Sequence, residues 1–315
     1  MNKRKQLFRR IIWTLLLGFI FINVVAFFHA YKFTHFVSAD ITKTKSPEKL
    51  SSVDKIKTLL LGVNNPRPTN KEKPSAYTEV ELQSNKKIHC WYLKNTDTAK
   101  GTVILFHGYS GEKSSMLDKA EVFEKLNYHV LLVDFMGSGG SEGNQTTLGF
   151  KEAEQVKTAF DYVTEQGEKN IYLFGTSMGS VAIMKALADD LLKPKGIIIE
   201  CPFGSMYETT CARFKIMNAP TFPMAGMLVF WGGVQNNFWA LGHNPTEYAK
   251  EINSPALLLY GEQDRNVSRQ EIDEIFKNLK GEKTLRTYER AGHDNYCLEY
   301  KAEWIKDITG FLQGE

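Results

Sequence analysis

Apolar residues recur along this chain with two different periods, and the switches between them divide it. Residues 77–82 and 87–93 alternate around Gln83-Ser84-Asn85-Lys86 and predict an antiparallel hairpin. Six strand-like runs follow, at 102–106, 129–135, 170–174, 196–200, 256–260 and 283–288. Helical patterns separate most of them, at 116–126, about 148–164, 180–190 and 268–279, and another, at 300–312, follows the last. Ser268-Arg-Gln-Glu271 and Asn244-Pro-Thr-Glu247 resemble capping boxes, the second with Pro at the first helical position. Strand and helix in alternation predict an α/β fold: a mostly parallel sheet with an antiparallel N-terminal hairpin and helices on both faces.

Two stretches break the pattern. Residues 11–30 (IIWTLLLGFIFINVVAFFHA) contain no charge and match the length of an α-helix across a ~30 Å hydrocarbon core, so they read as a transmembrane anchor. A cleaved signal sequence is the rival reading, but its apolar region is typically only about 7–15 residues and needs a small-x-small site close behind. The bases of the tail at residues 1–10 outnumber those at Lys32, Lys43, Lys45 and Lys49 beyond the span. That bias favours a single-pass protein with a cytoplasmic N-terminus and its body on the outer side. Residues 31–76, rich in Lys, Ser, Thr, Asn and Pro, read as a stalk with one helix, and residues 77–315 as the folded domain. The second break is the uncharged segment 216–246, whose prolines and glycines argue against another span. It reads as an apolar cap, at about 204–246, inserted after the sixth strand of the sheet, with Phe222, Trp231 and Trp239 expected to bind substrate.

Gly175-Thr-Ser177-Met178-Gly179 falls directly after a strand and directly before a helix. In that context Gly-x-Ser-x-Gly reads as a nucleophile elbow, though the pattern alone also fits an ordinary strand–helix turn. Asp264 follows a later strand and His293 follows the last, giving the order Ser, Asp, His expected along the carboxyl edge of one sheet. A serine is a weak nucleophile until an imidazole takes its proton, and a carboxylate is needed to orient that imidazole. Asp134 and Glu200 also end strands and compete with Asp264 for the acid role. Leu105-Phe106-His107-Gly108-Tyr109 opens a loop after the first long strand, so the backbone N–H groups of Tyr109 and Met178 are the candidate oxyanion hole.

These motifs resemble those of α/β-hydrolase serine hydrolases. The likeness runs from about residue 77 to the C-terminus and rests on HGYSG (107–111), DFMGSGGSEG (134–143), GTSMG (175–179), GEQD (261–264) and AGHDN (291–295). Within that superfamily the chain is similar to the serine aminopeptidase-like and monoacylglycerol-lipase-like group, where the second motif commonly reads Asp-x-Arg-Gly; here Met136 replaces the arginine. The resemblance implies hydrolysis through an acyl-serine. A carboxylic ester with an apolar acyl part is the favoured substrate, and peptide hydrolysis at a free N-terminus is the alternative. A silent hydrolase fold serving as a tethered binding module is the reading from another class.

Composition adds exclusions. With 39 Lys+Arg against 36 Asp+Glu, and five of the bases in the first ten residues, the chain is not a strongly basic nucleic-acid binder. No phosphate loop, dinucleotide fingerprint or metal motif occurs, so neither cofactor nor metal is expected. Cys90, Cys201, Cys211 and Cys297 leave two readings open, two bridges or four thiols.

Overall fold

The computed structural model describes residues 3–45, 49–95, 98–189 and 192–314. Eight strands form one sheet in the order β1-β2-β4-β3-β5-β6-β7-β8. β1 (Thr78–Gln83) and β2 (Lys87–Leu93) make the predicted hairpin, and β2 runs antiparallel to β4 (His129–Val133). β3 (Thr102–Phe106), β4, β5 (Ile171–Thr176), β6 (Gly196–Glu200), β7 (Ala256–Gly261) and β8 (Lys283–Tyr288) are mutually parallel. Every residue of β3, β6 and β7 is buried, as expected of parallel strands covered on both faces.

Successive side chains of a strand serve opposite layers. Ile104 and Phe106 pack with α4 (Glu152–Glu165), α5 (Met178–Asp189) and α9 (Arg269–Asn278), whereas Val103 and Leu105 pack with α3 (Leu117–Lys125) and α11 (Lys301–Gln313). Ser268 caps α9 in a complete capping box with Glu271. At the second predicted box only half forms: Asn244 accepts from the Glu247 N–H.

Between β6 and β7 the chain leaves the sheet to build the cap from α6 (Met206–Ile216), α7 (Met224–Gln235), α8 (Pro245–Tyr248) and two short 3₁₀ turns. α7 carries no charged side chain, and α1 (Lys3–Thr34) packs along it. Phe27 meets Trp231 edge to face at 5.3 Å, Trp231 Nε1–H donates to Asn23 Oδ1 and Gln235 Nε2–H donates to the Phe27 carbonyl. Only the C-terminal part of α1 is so covered: Leu7, Phe8, Trp13, Leu17 and Phe21 are exposed, while Ala26, Ala30 and Thr34 are buried.

The segment read as a stalk carries the expected helix, α2 (Ser52–Leu61), but it does not hang free. Arg67 donates to the carbonyls of Gly139, Ser141 and Gly143, and Asn70 donates to Asp134. Its polar composition marks a loop; the carbonyls that those polar groups satisfy lie some seventy residues away and leave no periodic trace. All four cysteines are free thiols, so of the two readings of their spacing the bridges do not form.

Candidate active site

β5 delivers Thr176 to the carboxyl edge of the sheet, and α5 begins two residues later. The turn between them is possible only because two residues lack side chains. A Cβ on Gly175 would lie 2.5 Å from the Gly179 carbonyl carbon, and one on Gly179 would lie 2.2 Å from the Phe106 carbonyl oxygen. Helix and strand therefore touch backbone to backbone, and Ser177 is left at φ 52°, in the left-handed region that a non-glycine residue seldom occupies. The strain is braced: Ser177 N–H donates to the Glu200 carbonyl at 2.8 Å, and Ser180 Oγ–H donates to Gly175 O at 2.6 Å.

Two loops at the same edge bring up the other groups. Gly261, the last residue of β7, lies against the backbone of Ala291 and Gly292, where a Cβ would meet Gly292 O at 2.4 Å. That close approach joins the loops of Asp264 and His293. His293 Nδ1–H donates to Asp264 Oδ2 at 2.6 Å, which leaves Nε2 to accept from Ser177 Oγ–H at 3.0 Å. Asp264 Oδ1 accepts from the Asn266 and Val267 N–H groups at 2.7 and 3.0 Å, so the buried carboxylate is fixed from both sides. Burial disfavours a charged His293 ring, but the Cys201 sulfur and the Asp264 carboxylate favour it, and the balance holds its pKa well above the ordinary 6.5.

The loop after β3 closes the site. His107 accepts from the Phe135 N–H through Nε2 and donates to the Gly108 carbonyl through Nδ1, a loop-shaping role. Tyr109 follows, and neither its N–H nor that of Met178 donates to a protein acceptor among the described residues. Both residues line one pocket with Ser177, Met178 at the first turn of α5.

The competing acids have other duties. Asp134 is fully buried, ion-paired with Lys113 and bonded to the N–H groups of Lys113 and Gly140. Glu200 accepts from Trp304 Nε1–H and Thr176 Oγ–H, and burial raises its pKa. The three aromatic residues expected to bind substrate do not face this site. Phe222 and Trp239 are 84% and 64% exposed, and Trp231 packs on α1. Their selection rested on composition, which does not tell which face of the cap turns inward.

Side chains that no local motif announces surround Ser177 instead. Arg213 and Leu148 line its pocket together with Phe203 and Thr209. Cys201 Sγ lies 4.0 Å from His293 Nε2. Phe33 of α1 stacks on Tyr109 at 4.8 Å and accepts a hydrogen bond from its hydroxyl at 2.7 Å, and Asn65 donates to the same oxygen. Met136, at the arginine position of Asp-x-Arg-Gly, is buried, and the guanidinium of Arg67 binds three carbonyls of that glycine-rich loop. Cys201, Asp264 and His293 offer three ligand atoms within 4.8 Å of one another, but the carboxylate and both ring nitrogens are engaged in the Ser–His–Asp chain.

In the full chain held in detergent, the His293 ring should titrate by NMR with a midpoint above 6.5, and Asp264→Asn should lower that midpoint by about one to three pH units. A midpoint unmoved by the substitution would mean that the carboxylate does not govern the imidazole.

The family described as serine aminopeptidase, S33, matches residues 97–239. The esterase Pf2001 of Pyrococcus furiosus superposes with a TM-score of 0.65 over 79% of this chain and 98% of its own, at 23% identity. Among curated proteins, the uncharacterized protein YqkD of Bacillus subtilis is 23% identical over 67% of this chain and 70% of its own. The lysophosphatidylserine lipase ABHD12 of zebrafish, Danio rerio, is 24% identical over 61% of this chain, a match that spans 52% of that protein. With its sheet order and these similarities, the chain has the α/β-hydrolase fold, and over residues 97–239 it is similar to the family described as serine aminopeptidase, S33.

Proposed function

We propose that this protein is a membrane-anchored serine hydrolase that cleaves carboxylic esters with an apolar acyl group. The observation that carries the reading is the unbroken chain from Asp264 through His293 to Ser177 beside two undonated N–H groups. In the first half-reaction Ser177 Oγ attacks the ester carbonyl while His293 Nε2 takes its proton. The oxyanion is held by the Tyr109 and Met178 N–H groups; losing one such donor typically costs about 3 kcal/mol in the transition state. His293 then passes its proton to the departing alcohol, leaving acyl-Ser177. Water, deprotonated by the same nitrogen, releases the acid and restores the serine.

Charge favours an ester over a peptide with a free amine. Arg213 lines the catalytic pocket, Lys43 and Lys45 line the wider mouth beside it, and among the described residues no Asp or Glu lines either. A substrate ammonium would find no counter-ion there and would meet like charge. The relatives named as esterase and lysophosphatidylserine lipase agree with ester chemistry. A binding module has no physical need for Ser177, His293 and Asp264 in hydrogen-bonding register.

The full chain in detergent should hydrolyse p-nitrophenyl esters and leave aminoacyl-p-nitroanilides untouched; activity confined to the anilides would transfer the reading to peptide hydrolysis. α1 supports the anchor, since its most apolar 18-residue window has a mean hydropathy of 2.5 and is 6% buried. The N-terminal bases favour a cytoplasmic tail with the hydrolase on the outer side. The full chain should therefore stay with the membrane through alkaline carbonate extraction, and release into the supernatant would exclude an integral anchor.

A further inference from the structure

Behind the catalytic pocket lies an apolar chamber that the mechanism leaves unexplained. One wall is the last turns of α1, through Ala30, Phe33 and Thr34; the opposite wall is α7, through Leu228, Val229 and Gly232. Leu148 and Arg213 line both this chamber and the pocket of Ser177, so the two adjoin at those side chains. Phe33 and Leu228 also line the wider mouth, which reaches Tyr109 and His293 on one side and α2 on the other. A ligand part reaching the chamber must shed its water against almost wholly apolar walls, which an alkyl chain does at a gain and an alcohol or amine does at a loss.

We infer that this chamber receives the acyl chain of the substrate, so that the anchor helix is itself a wall of the binding site and helps to set acyl-chain length. The inference rests on the ester-hydrolase reading above. Three further observations support this occupant. The chamber adjoins, at Leu148 and Arg213, the pocket that Ser177 lines, where an acyl carbonyl must sit. On α1 the exposed Phe19, Phe21 and Phe28 lead towards Ala30 and give a lipid chain a largely apolar surface, interrupted at Asn23 and His29, from the hydrocarbon layer to the chamber. The same end of α1 holds the loop of the oxyanion donor, because Phe33 stacks on Tyr109 and accepts from its hydroxyl. The helix that would bring the protein to lipid thus touches both the place where the chain lies and the loop that stabilises the reacting oxygen.

Two substitutions fill the chamber, one from each wall. A Cβ on Gly232 would meet only Thr34 Cγ2, at an ordinary 3.9 Å, so Gly232→Leu extends into the open space; Ala30→Leu extends from the anchor side. Leu228→Ala enlarges the chamber from a half-buried position. With the full chain in detergent, the kcat/KM ratio for p-nitrophenyl dodecanoate over acetate should fall about tenfold or more in Ala30→Leu and in Gly232→Leu, and should rise in Leu228→Ala. A ratio unmoved by all three would overturn the inference, because a merely structural defect lowers both esters together. A ratio moved by the α7 variants but not by Ala30→Leu would remove the anchor helix from the site. A wild-type chain inactive on every ester would instead defeat the ester reading, and this inference with it.

Discussion

Much of this site depends on a contact between two stretches of backbone. The first turn of α5 sits directly on the end of β3, with no room for any atom beyond the α-carbon of Gly179. Because the helix cannot stand off, the residue before it must reverse the chain within one step, and Ser177 takes the left-handed conformation that projects Oγ above the sheet. The same closeness brings the N-terminus of α5 to the loop that follows β3. Met178 and Tyr109 thereby line one pocket with Ser177 although they stand sixty-nine positions apart in sequence. Strain at Ser177 is held by hydrogen bonds to β6, so a position unfavourable in isolation is fixed by its surroundings.

A second constraint comes from outside the sheet. α1 and the segment that follows it are docked on the hydrolase body at two places that matter for chemistry. Arg67 gathers the carbonyls of the loop after β4, next to the buried Asp134–Lys113 pair, and Asn65 with Phe33 fixes the Tyr109 side chain. The body is therefore not a domain to which a tether has merely been added. The loop after β3 is packed, through Tyr109, against the end of the helix that would enter the membrane.

The fold, and the Ser, Asp and His that the structure brings into hydrogen-bonding contact, were legible because both leave local signals. Parallel strands buried on both faces read as apolar runs, and Gly175-x-Ser177-x-Gly179, Asp264 and His293 each sit just after such a run. What could not be read was contact across long separations. Phe33 against Tyr109 and Arg67 against Gly139–Gly143 have no period and no motif, and the polar composition around Arg67 looked like a linker for want of its partners. The cap aromatics failed for a related reason. α7 is apolar on every face, so its sequence does not show that Trp231 packs on Phe27 of α1 while Leu228 and Val229 line the chamber. Cys201 escaped because a thiol after a strand has no signature; only its 4.0 Å approach to His293 marks it.

The central claim is that Ser177 is a nucleophile activated by His293. Covalent labelling of the full chain in detergent with a fluorophosphonate probe tests it without knowledge of the substrate, since the probe reports an activated serine whatever ester the enzyme prefers. The account predicts a labelled wild type and loss of label in both Ser177→Ala and His293→Ala. A folded wild type that takes no label, or a Ser177→Ala variant that still does, would contradict it.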